Sequence, residues 1–357
     1  MKLLLSGLDT VECAYYLREC LGCGFDFADL TAKREAMRAS KRRDPVVVGI
    51  GSKEFLLGRG GTQSGYPLML NNNELAIQCG EFNSPSFFVT YRSDALWHKG
   101  AQLLHSEFSQ WARDLKFVQA GPEGLSRVDF AFDFDLPALD FDEDCFVTLA
   151  SKDAQHRKDR KVQTFRFGQG DIVLRVYDKS AEIRESSAKT WFYPLWGGVT
   201  ENVWRVEFQV RKEVLKRFSL RTFQDLFSGS GDVLRYLVNE HTTLRVRQDD
   251  DSNRSRWPMH PLWSMLQAHI DTLQVQGIVR ESRPDERLFE QMMRLAVAVE
   301  GYLKRSAAIE CVRLGGEVLS HERALREFSA FLRKVHDPLT WRTEVTKRAD
   351  QVRLGQW

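Results

Sequence analysis

One run, residues 126–135, restricts the fold of this chain more than any other part of the sequence. It reads Ser-Arg-Val-Asp-Phe-Ala-Phe-Asp-Phe-Asp, so apolar and polar side chains largely alternate from Val128 onward. A period of two is typical of a β-strand, in which successive side chains point to opposite faces of a sheet. We therefore predict a strand here, with Val128 and the phenylalanines in the core and Asp129 and Asp133 on the opposite face.

Two later runs alternate in the same way, at residues 172–179 and 203–211. Shorter strand-like runs precede them, separated by turns rich in glycine and asparagine, which favours an antiparallel meander. Beyond about Lys212 the apolar residues recur at helical spacing. The sequence therefore predicts an α+β fold, in which helices pack on a central antiparallel sheet and an all-helical C-terminal region follows.

The domain organisation is predicted from a polar run at residues 245–256, which reads Arg-Val-Arg-Gln-Asp-Asp-Asp-Ser-Asn-Arg-Ser-Arg. In this chain of 357 residues we predict an α+β domain over residues 1–244, a linker over residues 245–257 and a helical region over residues 258–357. Near the start of the chain, Asp9 and Thr10 resemble a helix cap, which predicts a short helix that reaches Leu17.

Composition excludes several classes of protein. No apolar run approaches the roughly 18 residues that a transmembrane helix needs, and the leucine-rich start is too short for the core of a signal peptide. The chain has six cysteines, unevenly placed, which favours a reducing compartment. We expect a cytoplasmic protein without a membrane partner.

Charge is informative only locally. The net charge is +2, from 51 basic and 49 acidic residues, so the chain as a whole is not a polycation. The segment 151–170 is nevertheless strongly basic. Such a run is either a solvated loop or a surface that binds DNA phosphates, and the sequence favours neither strongly. The residues that we predict to contact DNA are Arg157, Lys158, Arg160 and Lys161.

Acidic residues on two predicted strands are candidates for a metal site. Asp129 and Asp133 are about 13 Å apart along one strand, so they cannot both bind one ion unless the strand bends. Either both are solvated, or one binds a divalent cation and the other supports it. Glu207 is either a surface acid in a salt bridge or, if its strand neighbours that of Asp129, a second oxygen ligand. Such a site suits Mg²⁺ or Mn²⁺.

A tyrosine on the third strand is a candidate nucleophile. Tyr177 shares a strand face with Arg175 and Lys179. With a pKa near 10, tyrosine is a poor nucleophile at neutral pH. The flanking cations favour its phenolate, and they would also hold a phosphate diester. From this strand alone, an ordinary amphipathic tyrosine is the favoured interpretation. Tyr193 is the next candidate nucleophile.

Three segments together resemble a known family. They are Arg-Val-Asp-Phe-Ala-Phe-Asp at 127–133, Leu-Arg-Val-Tyr-Asp-Lys-Ser-Ala-Glu at 174–182 and Trp-Arg-Val-Glu-Phe-Gln-Val-Arg at 204–211. In this order they are similar to rolling-circle replication initiators of the "replication initiation factor" class, which includes plasmid and filamentous phage initiators and related relaxases of conjugative elements. Asp-Ala-Leu-Trp-His-Lys-Gly at 94–100 also fits the pattern. The resemblance spans residues 66–227.

This resemblance implies a metal-dependent DNA nickase with a split β-α-β core. Tyr177 corresponds to the family's nucleophile, Asp129 and Glu207 to its acidic metal residues, and Asp133 to a less certain third. The tyrosine would form a 5′-phosphotyrosine and release a 3′-OH that primes a host polymerase, with a host helicase as a further partner. None of the eight histidines forms a His-x-His pair, so a metal would rest on carboxylates.

Two other functions remain open at the level of the sequence. One is a mobilisation relaxase, which shares the same chemistry. The other is a non-catalytic protein that binds DNA or recruits partners, in which Tyr177 and the acids are structural. Weaker candidate motifs add little: Cys20 and Cys23 have no second Cys/His pair nearby for zinc, and the glycines at 58–61 lack a phosphate-loop lysine. Trp257, Trp263 and Trp357 are either stacking platforms for bases or, more simply, core residues.

Overall fold

The computed structural model describes residues 1–40, 46–158, 160–273 and 284–353. Its strands are β1 (Lys2–Tyr15), β2 (Leu17–Glu19), β3 (Val46–Ile50), β4 (Lys53–Leu57), β5 (Leu68–Asn71), β6 (Leu75–Cys79), β7 (Phe87–Tyr91), β8 (Phe117–Gln119), β9 (Gly124–Asp135), β10 (Phe146–Thr148), β11 (Asp153–Lys158), β12 (Lys161–Phe167), β13 (Ile172–Asp178), β14 (Val203–Arg211) and β15 (Thr242–Leu244).

The α-helices alternate with these strands and then dominate the end of the chain. They are α1 (Phe27–Ala39), α2 (Ser93–Lys99), α3 (Ala101–Asp114), α4 (Lys179–Glu182), α5 (Phe192–Leu195), α6 (Lys212–Arg217), α7 (Phe223–Tyr236), α8 (Pro261–Asp271), α9 (Pro284–Arg313), α10 (His321–Val335) and α11 (Pro338–Arg353). None of the helices in the described ranges is long and apolar enough to cross a membrane.

Within the described ranges, eleven strands form one sheet in the order β11-β12-β13-β14-β9-β1-β7-β6-β5-β4-β3. Every neighbouring pair in it is antiparallel. The predicted α+β fold with a central antiparallel sheet and a helical C-terminal region is therefore confirmed. The three strands that carried the sequence motifs, β13, β14 and β9, lie side by side.

Strand β9 forms as the alternation predicts, but both of its faces are covered. Val128, Phe130, Phe132 and Phe134 are buried in the core. Asp129 and Asp133, on the opposite face, are also buried. A second apolar cluster explains the burial of Asp133, because the cluster contains Phe192 and Trp196, and Trp196 donates a hydrogen bond to this carboxylate. A single strand pattern cannot reveal that another segment covers its polar face.

The beginning of the chain is a strand rather than the predicted short helix. Val11, Cys13 and Tyr15 are buried at a period of two in β1, which pairs with both β9 and β7. The cap-like Asp9 and Thr10 lie inside this strand. Tertiary pairing on both sides outweighs a local capping signal, since a long central strand buries every second side chain.

The chain divides into two compact units, Met1–Arg280 and Glu281–Trp357. The linker predicted at residues 245–257 lies inside the first unit. Arg245 forms a β-bridge with Met259, and Trp257 is buried. Helix α8, which follows, packs Trp263 into the main core. The polar run is thus a surface loop whose ends are held by the sheet and by α8.

The second unit consists, in its described part, of α9, α10 and α11. Leu303 of α9 packs with Leu319, which precedes α10, and with Ala324 in the first turn of α10. The N-cap of α10 is Ser320, whose hydroxyl accepts from the backbone N–H of Arg323. Trp357, named above as a possible stacking residue, lies outside the described residues.

Candidate active site

The register of three strands brings the predicted site residues onto one face of the sheet. Tyr177 of β13 is opposite Arg205 of β14, which is opposite Asp133 of β9. Two residues further along the same pair of strands, Arg175 is opposite Glu207. The sequence predicted a site shared by Glu207 and Asp129 only if their strands are neighbours. The two strands, β14 and β9, are direct neighbours. Gln209 of β14 is the residue opposite Asp129.

Tyr177 and Arg175 both bind the carboxylate of Glu207. The Tyr177 hydroxyl donates to Oε2 at 2.9 Å, and Nη1 of Arg175 donates to Oε1 at 2.8 Å. Nη2 of Arg175 donates to Oε1 of Gln209 at 3.0 Å. Glu207 is buried, so these bonds act in a medium of lower polarity than water and hold the phenol in place.

The environment of Tyr177 disfavours its phenolate. Burial and the negative charge of Glu207 raise the pKa of Tyr177 well above its ordinary value of 10, and Arg205 opposes this shift. This corrects the prediction that Arg175 and Lys179 lower that pKa. The reason is that the charge nearest the hydroxyl belongs to a carboxylate, while Arg175 is directed to Glu207 and Gln209. Attack by this oxygen would therefore need a base.

Asp129 lies in a separate bidentate pair. Nε and Nη2 of Arg127 donate to its two oxygens at 2.8 and 2.5 Å, and Nη1 of Arg127 also reaches Glu12 at 3.3 Å. Burial raises the pKa of Asp129 to about 6, with the nearby charge of Glu207 adding to the shift and Arg127 opposing it.

Asp133 belongs to a buried ionic cluster next to the Tyr177 site. Nε and Nη2 of Arg205 donate to its oxygens at 2.6 and 2.8 Å, and the indole of Trp196 donates at 2.8 Å. Arg205 also donates to Asp9 at 2.6 Å, and Trp97 donates to the same Asp9 oxygen at 3.0 Å. Asp133 and Arg205 are both fully buried. The oxygens of Asp133 are thus committed to protein donors.

A bulge and a glycine place Asp9 in this cluster. Leu8 and Thr10 pair with consecutive residues of β9, so Asp9 is the additional residue of a β-bulge. At Gly7 a Cβ atom would lie only 2.7 Å from the ring of Trp97, so the ring can lie against β1 only because this residue is glycine. Burial opposes the ionisation of Asp9, but Arg205 and Trp97 hold its pKa below the ordinary value.

Lys179 is buried at the start of α4. Its ammonium group forms an ion pair of 2.7 Å with Glu182 and lies 5.7 Å from the ring centroid of Tyr177. It also lies 5.1 Å from the ring centroid of Phe192. Burial and the charge of Arg205 lower the pKa of Lys179. The side chain therefore borders the tyrosine without a direct bond to its hydroxyl among the described contacts.

The basic run is a β-hairpin and not a loop, which was one of the two interpretations of the sequence. Strands β11 and β12 pair with each other, and β12 pairs with the Tyr177 strand. Arg157, Lys158, Arg160 and Lys161 lie at the tip of this hairpin and are exposed. Lys158 forms an ion pair of 2.8 Å with Glu185. The hairpin thus extends the site sheet at its edge.

A divalent cation on this face would draw on Asp129 and Glu207. Within the described ranges, no group of three or more His, Cys, Asp or Glu residues could hold a metal ion. All four oxygens of the two carboxylates already accept hydrogen bonds. Because Mg²⁺ is often held by one or two carboxylates plus phosphate oxygens of a substrate, the pair fits such an ion only together with a phosphate-bearing ligand.

Several residues of this site were not predicted from the sequence. Hydrogen bonds come from Asp9, Trp97, Trp196 and Gln209. Arg205 lies opposite Tyr177 and binds both Asp9 and Asp133. Arg205 was visible as a charged residue between Trp204 and Val206, and its position beside Glu207 was the available signal. Asp9 reaches the site because of a β-bulge, which the sequence does not reveal.

Comparison with known proteins gives a distant structural likeness. No family model matches the sequence, and no curated protein matches it. Among solved structures, the chain is similar to a rolling circle replication initiator protein from Geobacillus stearothermophilus, with 16% sequence identity and a TM-score of 0.44. The alignment covers 77% of this chain and 98% of that chain. At these values the likeness is remote.

Proposed function

We propose that this protein is a replication initiator that nicks one strand of DNA by tyrosine transesterification. The observation that carries the proposal is the 2.9 Å hydrogen bond from the Tyr177 hydroxyl to Glu207, in a face that also carries Arg175 and Asp129. A nucleophile beside a carboxylate that can accept its proton is the arrangement that covalent catalysis needs. The order of the sequence motifs, similar to that of rolling-circle initiators, adds support.

In the proposed reaction the Tyr177 oxygen attacks a backbone phosphorus. The bond from phosphorus to the 3′ oxygen breaks and a phosphotyrosine forms on the 5′ side. The 3′ oxygen takes a proton from water and leaves as a hydroxyl. The proton of Tyr177 passes to Oε2 of Glu207, the atom that already accepts it in a hydrogen bond. The raised pKa of Tyr177 is consistent with a phenol that stays neutral until the phosphate is bound.

Asp129 and Glu207 would hold Mg²⁺ or Mn²⁺ together with oxygens of the scissile phosphate. Such an ion polarises the phosphate and offsets the charge that develops during attack. Arg175 would turn from Glu207 toward the phosphate, and Lys179 would add positive charge beside the ring of Tyr177. Asp133 is proposed as a supporting residue that fixes Arg205. The free 3′-OH would prime a host polymerase.

A non-catalytic DNA-binding function is the second candidate. It is favoured by one observation: the carboxylates of Asp129, Asp133 and Glu207 all have protein partners already, as in a purely structural network. In that case the basic hairpin alone would bind DNA.

The deciding experiment tests for a covalent adduct. Single-stranded oligonucleotides that tile the DNA flanking the gene, labelled at the 3′ end, are incubated with protein and Mg²⁺ or Mn²⁺ and separated under denaturing conditions. Label on the wild-type protein and not on Tyr177→Phe is expected, because the 5′-phosphate fragment stays bound. Binding without transfer of label by the wild-type protein, across the tiled set, would favour the non-catalytic alternative.

A further inference from the structure

Two arginines face each other next to Tyr177. Arg166 of β12 and Arg175 of β13 are directly opposite, on the face that also carries Tyr177. Phe165 and Phe167, on either side of Arg166, are buried in the core on the other face, which fixes the direction of Arg166. Directly opposite residues have Cβ atoms about 5 Å apart, and like charges at this distance repel each other. An anion beside the pair would relieve this repulsion.

The two arginines differ in their partners. Arg175 binds Glu207 and Gln209. Arg166 is exposed, and within the described ranges its guanidinium group has neither an ion pair nor a hydrogen bond. On the same face, Thr164 is opposite Tyr177, and its hydroxyl also lacks a hydrogen-bond partner in the described part of the chain. A cation and a hydroxyl are thus free for a ligand beside the tyrosine.

We propose that Arg166 and Thr164 bind a phosphate group of the DNA strand, adjacent to the phosphate that Tyr177 attacks. This inference rests on the proposed function. A guanidinium group binds phosphate through two parallel N–H···O bonds, and a hydroxyl supplies another donor. Residues two apart on a strand are about 7 Å apart, so a phosphate at Arg166 lies beside the Tyr177 hydroxyl and not on it. The site positions the strand for attack.

This phosphate site is separate from the hairpin tip. Lys161 and Arg166 are at opposite ends of β12, about 16 Å apart along a strand. The two groups therefore contact different phosphates. Removing Arg166 should weaken binding in addition to any effect of the hairpin cations, because sites that share no partner act additively.

The test compares Arg166→Gln with Arg18→Gln in the Tyr177→Phe background. Arg18, on β2, is also an exposed strand arginine and has no ion pair among the described residues. Binding of a labelled oligothymidylate of about 20 nucleotides is measured over a range of salt concentrations. We expect Arg166→Gln to bind about tenfold more weakly. The slope of log K against log salt should also lose about 0.7 of its magnitude. Arg18→Gln should retain both values.

Thermal unfolding without DNA provides the second measurement. Because Arg166→Gln removes one member of a like-charged pair, its unfolding midpoint should equal or exceed that of the parent. Unchanged affinity and slope in Arg166→Gln overturn the inference, and so does weaker binding accompanied by a lower midpoint, since that indicates a structural role. These measurements need no cleavage, so absence of an adduct in the wild-type protein contradicts the proposed function alone.

Discussion

The phenol hydroxyl of Tyr177 donates a 2.9 Å hydrogen bond to Oε2 of Glu207 on the neighbouring strand. The two residues meet diagonally, because Tyr177 is opposite Arg205 and Glu207 is opposite Arg175. Backbone pairing on both sides of β14 fixes this spacing. Either side chain can therefore be changed with little effect on the backbone position of the other residue.

Tyr177→Phe should bind DNA as the wild-type protein does and form no covalent adduct. The substitution keeps the ring and removes the only oxygen that can attack. Loss of one hydrogen bond should cost about 1 kcal/mol of stability. Adduct formation is measured with 3′-labelled oligonucleotides, and stability by urea unfolding. Tyr193→Phe is the matched control, and an adduct that persists in Tyr177→Phe but disappears in this control would move the nucleophile to Tyr193.

Glu207→Gln and Asp129→Asn should each lower the rate of adduct formation by about a hundredfold or more. Both substitutions preserve shape and remove a negative charge, so the fold should remain intact. The rate is measured at saturating DNA. Glu107→Gln, which changes an acid on α3 paired with Lys99, serves as control and should react normally. Normal rates in both site variants would argue against a role for these carboxylates.

Removal of divalent cations should stop cleavage while binding persists. EDTA is added to the wild-type protein, and Mg²⁺ or Mn²⁺ is then restored in excess. Because Asp129 and Glu207 supply only part of a coordination shell, recovery should depend on metal and DNA together. Cleavage at full rate in EDTA would show that the carboxylates act without a metal.

Asp133→Asn should destabilise the fold by about 3 kcal/mol, measured as a shift of the urea midpoint. The variant leaves the fully buried Arg205 with Asp9 as its remaining carboxylate. Asp129→Asn should cost less, because burial already disfavours its charged form and raises its pKa to about 6. Equal costs for the two variants would contradict the distinction between a supporting Asp133 and a ligand Asp129.

The strands of the site were predictable from the sequence, and their order was not. The alternation around Val128, Tyr177 and Glu207 identified β9, β13 and β14 because period-two burial is a local property. That β14 lies between the other two depends on long-range pairing. From the sequence, a site shared by Glu207 and Asp129 could therefore be predicted only on the condition that their strands are neighbours.

Hydrogen-bond partners were the least predictable part of the site. The charge at the Tyr177 hydroxyl depends on which neighbour reaches it, and Glu207 does so while Arg175 turns away. The direction of the pKa shift of Tyr177 depends on whether a carboxylate or a guanidinium group lies nearest to its hydroxyl. Asp9 enters the site through a bulge that skips one residue in the register, and no periodicity in the sequence marks its position.

The contribution of His241 to stability should fall as the pH drops below about 6.5. This side chain is buried, and burial lowers its pKa below the ordinary value of 6.5. The unfolded chain then binds the proton more readily, so the contribution is present above pH 6.5 and is lost below it, by at most about 1.4 kcal/mol per pH unit. Urea midpoints at several pH values check this. His241→Gln should show a weaker pH dependence than His156→Gln, an exposed control, and equal dependence would contradict it.

The hairpin tip should supply phosphate contacts without base preference. Changing Arg157, Lys158, Arg160 and Lys161 together to alanine removes four exposed charges from the edge of the site sheet. Each lost contact to single-stranded DNA lowers the magnitude of the log K versus log salt slope by about 0.7, so the quadruple variant should lose up to about 3. Lys158 contributes less if its pair with Glu185 persists on DNA. Competition between oligonucleotides of different sequence should be unchanged, because phosphate contacts carry no base information. A slope equal to that of the wild-type protein would place the hairpin outside the path of the DNA.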